Sequence, residues 1–170
     1  MTTVTTTITA YTVLPIAPVV LAELRRLDDA GNVPVRVHDT EGGSPLRCCL
    51  RRAEPGAHLL LLSYAPLRRW ADETGAHPGP YDEVGPVFVH ACPADCPGPT
   101  SSGYPAAMHR GDRVLRAYDR NGHILRGVHV EPGPELADEV LAAMFSDPEV
   151  AVVHVRALGH GCFQHEVRRA

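Results

Sequence analysis

The chain contains no lysine; all 16 of its Lys-or-Arg positions, in 170 residues, are arginine. Schiff-base and lysine general-base mechanisms are therefore excluded. It also lacks a long apolar run, none approaching the ~18 residues that a membrane-spanning helix needs. Aromatic residues are scarce, at 5% with a single tryptophan. Charge of one sign is nowhere concentrated: the formal net charge is −4, spread along the chain with no basic stripe, so neither nucleic acid nor a membrane is an expected partner. Met1 to Ala10 is threonine-rich and carries no positive side chain. That stretch does not read as a secretory signal or an Arg-rich transit peptide, and a cytoplasmic location is the expectation.

What is present is ordinary for a folded protein. The apolar fraction is 44% and the charged fraction 21%. The length suits one globular domain, residues 1–170, able to close a core without metal or disulfide support. The ten histidines make the charge sensitive to pH near 6. The five cysteines, Cys48, Cys49, Cys92, Cys96 and Cys162, are an odd number and read as thiols rather than disulfides.

Alternation and turn signals divide the chain into short elements. Thr2 to Val13, Val33 to His38, Cys48 to Ala53, His58 to Tyr64, Val84 to His90, Arg113 to Tyr118, His123 to Val130, Val150 to Arg156 and Cys162 to Arg168 read as strands. Pro15 to Asp29 places Val20, Leu21, Leu24 and Leu27 on one helical face. Pro134 to Phe145 does the same with Leu136, Val140, Leu141 and Met144, and Pro66 to Glu73 allows two more helical turns. Asn121-Gly122 predicts a type I′ hairpin turn. Leu59 to Leu62, continuously apolar, predicts a central strand. The fold expected is α+β: a mainly antiparallel twisted sheet of about eight strands with two or three covering helices.

Polar residues at the ends of apolar strand faces suggest a site. Residues two apart on a strand share a face. Phe88 and His90 share one; so do Val114, Arg116 and Tyr118; so do Val150, Val152, His154 and Arg156. The Leu60-Leu62 face ends at Tyr64. If these ends align, Arg116 and Arg156 can bind a carboxylate or phosphate, because a buried guanidinium is costly without an anion. His90 and His154, helped by Tyr118 and Tyr64, are then candidate acid–base groups, and Glu83 can orient an arginine or act as a base. Otherwise these polar ends face solvent at a sheet rim.

The thiols offer a weaker signal. His90-x-Cys92-x-x-x-Cys96 carries zinc-type ligands, with His154 or Cys162 able to complete a set, but the spacing matches no closed structural site. No metal and no cofactor are expected. Cys48 and Cys49, adjacent on a strand, would face opposite ways, leaving one in the core and the other, Cys49, between Arg47 and Arg51 as a substrate-contacting or reactive thiol. Trp70 and Phe163 read as packing residues.

Several stretches are familiar together: Arg47-Cys48-Cys49-Leu50-Arg51, Leu62-Ser63-Tyr64-Ala65-Pro66, Tyr81 to His90, Arg116-Ala117-Tyr118-Asp119, and His154-Val155-Arg156 with Gly161-Cys162-Phe163. In these the chain resembles domain-of-unknown-function family 1203 (DUF1203), a set of small bacterial proteins, from about Leu14 to Arg168. The Cys92–Cys96 loop is not among the motifs that carry the resemblance. The resemblance implies one soluble domain and carries no activity with it.

Three functions follow as expectations. The first is a small-molecule enzyme with arginine anchoring of an anionic substrate and His/Tyr acid–base chemistry, its reaction class open among hydrolysis, isomerisation and elimination. The second is a non-catalytic module binding an anionic metabolite through the same arginines. The third is a structural subunit whose exposed sheet edge pairs with a partner or with a second copy as a homodimer.

Overall fold

Strand alternation states which residues share a face but not which strands pair, and pairing is where the fold departs from the expectation. The computed structural model describes residues 11–101 and 103–170. In chain order these form β1 (Tyr11–Leu14), α1 (Pro18–Leu24), β2 (Val35–Asp39), β3 (Pro45–Leu46), β4 (Arg51–Arg52), β5 (Ala57–Tyr64), α2 (Pro66–Thr74), β6 (Gly85–His90), β7 (Arg113–Tyr118), β8 (Ile124–Val130), α3 (Pro134–Phe145), β9 (Val152–Ala157) and β10 (Phe163–Arg169). The strands make two five-stranded sheets instead of one sheet of eight. Sheet I runs β1-β10-β9-β7-β8 and sheet II runs β2-β5-β6-β3-β4. The α+β class and the antiparallel character hold; among the described residues the one parallel pairing is β3 with β6. Splitting suits strongly twisted strands, which in larger numbers divide into separate sheets.

Each sheet has its own core. On one face of sheet I, Leu115, Val153, Val155 and Val167 bury against Leu141, Met144 and Phe145 of α3. In sheet II, Leu59, Leu62, Val87 and Val89 bury with Leu21 and Leu24 of α1. β5 is paired on both edges, as its apolar run requires. A smaller cluster sets Leu67, Trp70 and Ala71 of α2 against Tyr118 and Val152, on the second face of sheet I. Arg47 joins the sheets. Its guanidinium is buried and donates to the Phe163 carbonyl at 2.8 and 2.6 Å and to the Pro45 carbonyl at 2.5 Å, so it is satisfied without a counter-ion.

Several local expectations change. The part of the first strand from Thr2 to Ala10 lies outside the described residues. α1 stops at Leu24, and Leu27 is exposed. The Asp28 carboxylate accepts the N–H groups of Ala30, Asn32 and Ser63, a local arrangement that competes with further helix. In α3 it is Ala137 that packs inward, while Leu136 is exposed. The Asn121-Gly122 hairpin forms with a different turn. Gly122 alone has positive φ, at +84°, and Asp119 Oδ1 accepts the N–H groups of Asn121 and His123. The Asp119 side chain thus replaces the second left-handed residue that a type I′ turn needs.

The strand expected over Cys48 to Ala53 begins only at Arg51. Arg47 to Leu50 is a tight turn closed by the Leu50 N–H on the Leu46 carbonyl. Leu50 has φ +56°, and among the described residues it is the one non-glycine there. That conformation costs about 1–2 kcal/mol. It is held because the Leu50 side chain is buried in the sheet I core while Cys48 and Cys49 are buried in the sheet II core.

Candidate functional site

Sheet pairing places side chains across sheet I in rows. Arg116 of β7 pairs with His154 of β9, which pairs with Glu166 of β10. Paired residues share a face, and so do residues two apart on one strand. Arg116, Tyr118, His154, Arg156 and Glu166 therefore stand on the face that α2 covers. The ladder slips between Phe163 and His165, so Phe163 and Glu166, three apart, also share this face.

The charges on this face alternate. Glu83, in the loop before β6, bridges two guanidiniums. Its Oε1 accepts from Arg116 Nη1 at 3.1 Å, and its Oε2 accepts from Arg156 Nη2 at 3.1 Å. Arg156 Nε also donates to the Gly161 carbonyl at 3.1 Å. Glu83 is 47% exposed, whereas the arginines are 25% and 15% exposed. On the other side of His154, Nε2 donates to Glu166 Oε2 at 3.0 Å, and Arg168 bonds Glu166 and reaches Glu73. Burial alone would push the pKa of Glu166 up, but the hydrogen bonds and charges of His154 and Arg168 outweigh it and hold the carboxyl below its usual range. His154 Nδ1 is buried with no hydrogen-bond partner among the described residues. Its ring packs edge-on between Tyr118, at 5.0 Å, and Phe163, at 5.2 Å. Burial pushes the Tyr118 phenol up, partly offset by the adjacent Arg116. Tyr64 touches this group through Phe163, ring to ring at 5.5 Å, and burial raises its phenol too. Beyond Glu166 and Arg168 a cavity of about 290 Å³ opens between Leu14–Val20 and α2, with Tyr64, Trp70 and Phe163 in its wall.

Of the residues singled out by strand alternation, Arg116, Tyr118, His154 and Arg156 thus come together, with Glu83 across the two arginines and Tyr64 at the margin. His90 does not join them. It is the last residue of β6, whereas Glu83 stands before the first, and the strand between rises about 16 Å. His90 lies instead with Cys49 in a second group. Cys48 Sγ is 3.3 Å from His90 Nδ1, Cys49 Sγ is 4.0 Å from both that nitrogen and Cys48 Sγ, and Cys96 Sγ completes the set. The turn at Arg47–Leu50 turns both adjacent thiols the same way, which a strand would have prevented. Neither flanking arginine acts on Cys49 as expected: Arg47 is spent on the Phe163 carbonyl and Arg51 Nε donates to the Gly98 carbonyl. The hydrogen bond from Cys48 is what lowers Cys49, against burial, and the same contact together with burial pushes Cys48 up.

Glu166, Arg168 and Cys48 carry these two groups and were not candidates on sequence grounds. The bulge hides Glu166, since period-two counting from Phe163 puts it on the opposite face. All five cysteines are free thiols; Cys92 is exposed and stands apart from the cluster. No described helix is long and apolar enough to cross a membrane. No curated protein and no solved structure matches the chain. The model of the protein family of unknown function DUF1203 matches residues 43–169, a stretch holding both side-chain groups, and the chain belongs to that family.

Proposed function

We propose that the chain is a binding module for a small molecule bearing a carboxylate or phosphate, with Arg116 and Arg156 as its seat. The observation that carries this reading is Glu83: a half-exposed carboxylate on a loop, held by two guanidiniums that are largely buried on strands. Two planar forks converging on one carboxylate are the arrangement that recognises such a group in a ligand. Glu83 then acts as the internal anion of the unliganded state, and its loop carries it aside when a ligand's anion takes the seat. Tyr118 and the Gly161 carbonyl, which holds Arg156, keep the arginines in place.

Proton transfer at His90 or His154, helped by Tyr118 and Tyr64 and with Glu83 as a candidate base, has less support: His90 lies in the other side-chain group. His154 and Tyr118 are buried at 0% and 1% exposure, and the Nε2 proton of His154 is committed to Glu166. A general acid or base has to reach the reacting group within a hydrogen bond or one water. Binding without turnover is therefore the reading adopted.

Titration calorimetry with inorganic phosphate and with succinate tests it. Glu83→Gln removes the internal competitor and should tighten binding about 10-fold or more, the scale of one charge-assisted hydrogen bond. Arg116→Ala and Arg156→Ala should each abolish saturable binding. If Glu83→Gln lowers the melting temperature and no variant binds either anion, Glu83 is only a strap between the sheets and the reading fails.

A further inference from the structure

Buried thiols need no ligand in general, since free cysteine packs as a small apolar residue. Four features set the cluster at Cys48, Cys49, His90 and Cys96 apart. The first is distance: one ligand atom from each residue lies within 4.8 Å of the other three, and three of the separations are 3.3, 4.0 and 4.0 Å. With Zn–S near 2.3 Å and Zn–N near 2.0–2.1 Å, a tetrahedral ion separates its ligand atoms by roughly 3.5–3.8 Å. The observed separations bracket that range, so small side-chain adjustments suffice.

The second is the backbone. The His90 N–H donates to Cys48 Sγ at 3.3 Å, tying one sulfur to the strand that carries the histidine. The third is the turn that brings Cys48 and Cys49 together, kept despite the positive φ at Leu50. Such a conformation persists only when its surroundings over-determine it. The fourth is charge. Three thiolates, a neutral imidazole and a divalent ion sum to −1, and Arg25, whose Nε donates to the His90 carbonyl at 3.2 Å, is the adjacent cation.

We propose that Cys48, Cys49, Cys96 and His90 form a closed Cys₃His site for a thiophilic divalent ion of the zinc class. Three sulfurs and one imidazole in a tetrahedron suit zinc better than the oxygen-seeking ions. Four protein ligands leave no open position, so the ion's work is structural. The stretch it would fix is clear from the chain path. Among the described residues from Ala91 to Asp112 the protein forms only 3-10 turns at Pro93–Asp95 and Ala106–Met108. Cys96 is in that stretch, and the other three ligands belong to sheet II, His90 at the end of its central strand β6 and Cys48 and Cys49 in the turn between β3 and β4. The ion ties the long loop to the sheet, which is why the ligands are distant in sequence and no paired motif announces them.

Metal analysis and cobalt spectroscopy on the full, reduced chain test the proposal. Protein purified without chelator should contain one zinc per chain. After removal, Co²⁺ should bind one per chain with the strong visible absorption of a tetrahedral thiolate site, and Zn²⁺ should displace it. Cys49→Ser and Cys96→Ser should weaken Zn²⁺ binding more than about 100-fold, beyond the cost of losing an outer-shell partner. Cys92→Ser and Cys162→Ser should keep full stoichiometry. Limited proteolysis should cut within 91–112 faster once the metal is removed. The wild-type measurement stands even if a ligand variant fails to fold. Reduced wild-type protein that takes up neither Zn²⁺ nor Co²⁺, or that loses metal equally with Cys92→Ser, overturns the proposal. So does a Cys48–Cys96 disulfide that forms in air while the reduced protein stays metal-free.

Discussion

The two polar groups of this protein are built on opposite principles. The row made of Glu83 with Arg116 and Arg156, then His154, Glu166, Arg168 and Glu73, consists of hard oxygen and nitrogen groups that satisfy one another within its two parts. The cluster of Cys48, Cys49, His90 and Cys96 is a set of soft donors with weak contacts among themselves, 3.3–4.0 Å where sulfur is involved. Removing Glu166 from the first leaves the buried Nε2 of His154 without its partner and takes one of two carboxylates from Arg168. Removing a thiol from the second, with no ion bound, removes little more than a small apolar side chain. The difference teaches which group holds the fold by itself and which one awaits a partner.

The largest effect should come from the buried end of the charged row. Glu166→Ala strands His154 and Arg168, and breaking a buried pair in this way costs about 3–5 kcal/mol. Urea unfolding of the metal-free protein should register it, with Cys49→Ala costing clearly less. Equal losses for the two variants would break the comparison.

Acid should be the next largest perturbation. His165 is fully buried, neither ring nitrogen has a partner among the described residues, and burial first, then Arg113 and Arg47, lowers its pKa to about 3. The unfolded chain binds that proton near pH 6.5, the folded one only near 3, so between these values the unfolded state holds more protons. Stability is complete above pH 6.5 and falls as the pH drops toward 3, by up to about 1.4 kcal/mol per pH unit from this residue. His109, lowered mainly by burial, acts in the same direction. Unfolding free energies measured from pH 7 to pH 4 should show this slope, and His165→Phe should flatten it. An unchanged slope in that variant assigns the acid sensitivity elsewhere.

A smaller effect should separate the Glu83 loop from the thiol cluster. A Cβ added at Gly122 would lie 2.9 Å from Pro78 Cβ, on a residue with φ +84°. Pro78 leads into the turn before Glu83. Gly122→Ala should cost about 1–2 kcal/mol through the left-handed conformation and the contact. It should disturb anion binding and leave Zn²⁺ stoichiometry at one; a change in metal content would join the two groups. The smallest effect belongs to Cys92→Ser, an exposed position away from both, expected within about ±0.5 kcal/mol by thermal melting.

Much of the fold was legible because it rests on local chemistry. β5, β6, β7, α2 and α3 lie where apolar periodicity, proline starts and turn residues place them. The convergence of Arg116, Tyr118, His154 and Arg156 on one face follows from alternation on β7 and β9, whose mutual pairing runs without a register shift; the slip after Ala117 is in the pairing of β7 with β8. His90 obeyed the same alternation but belongs to sheet II, and alternation contains no information about which sheet a strand enters. Glu166 escaped because the slip after Phe163 changes the parity of the strand.

The sequence by itself determined the composition of the elements, the faces of most strands and the α+β class, since these depend on neighbours two to four residues apart. Only the tertiary structure decided that there are two sheets, that Glu83 spans two arginines, and that Cys48, Cys49, His90 and Cys96 meet. Those are encounters between residues tens of positions apart, set by strand pairing and by a turn at Arg47–Leu50 whose left-handed leucine no local preference would choose. Its conformation is held by burial of Leu50 in one core and of the two cysteines in the other, and burial of that kind exists only once both sheets are assembled.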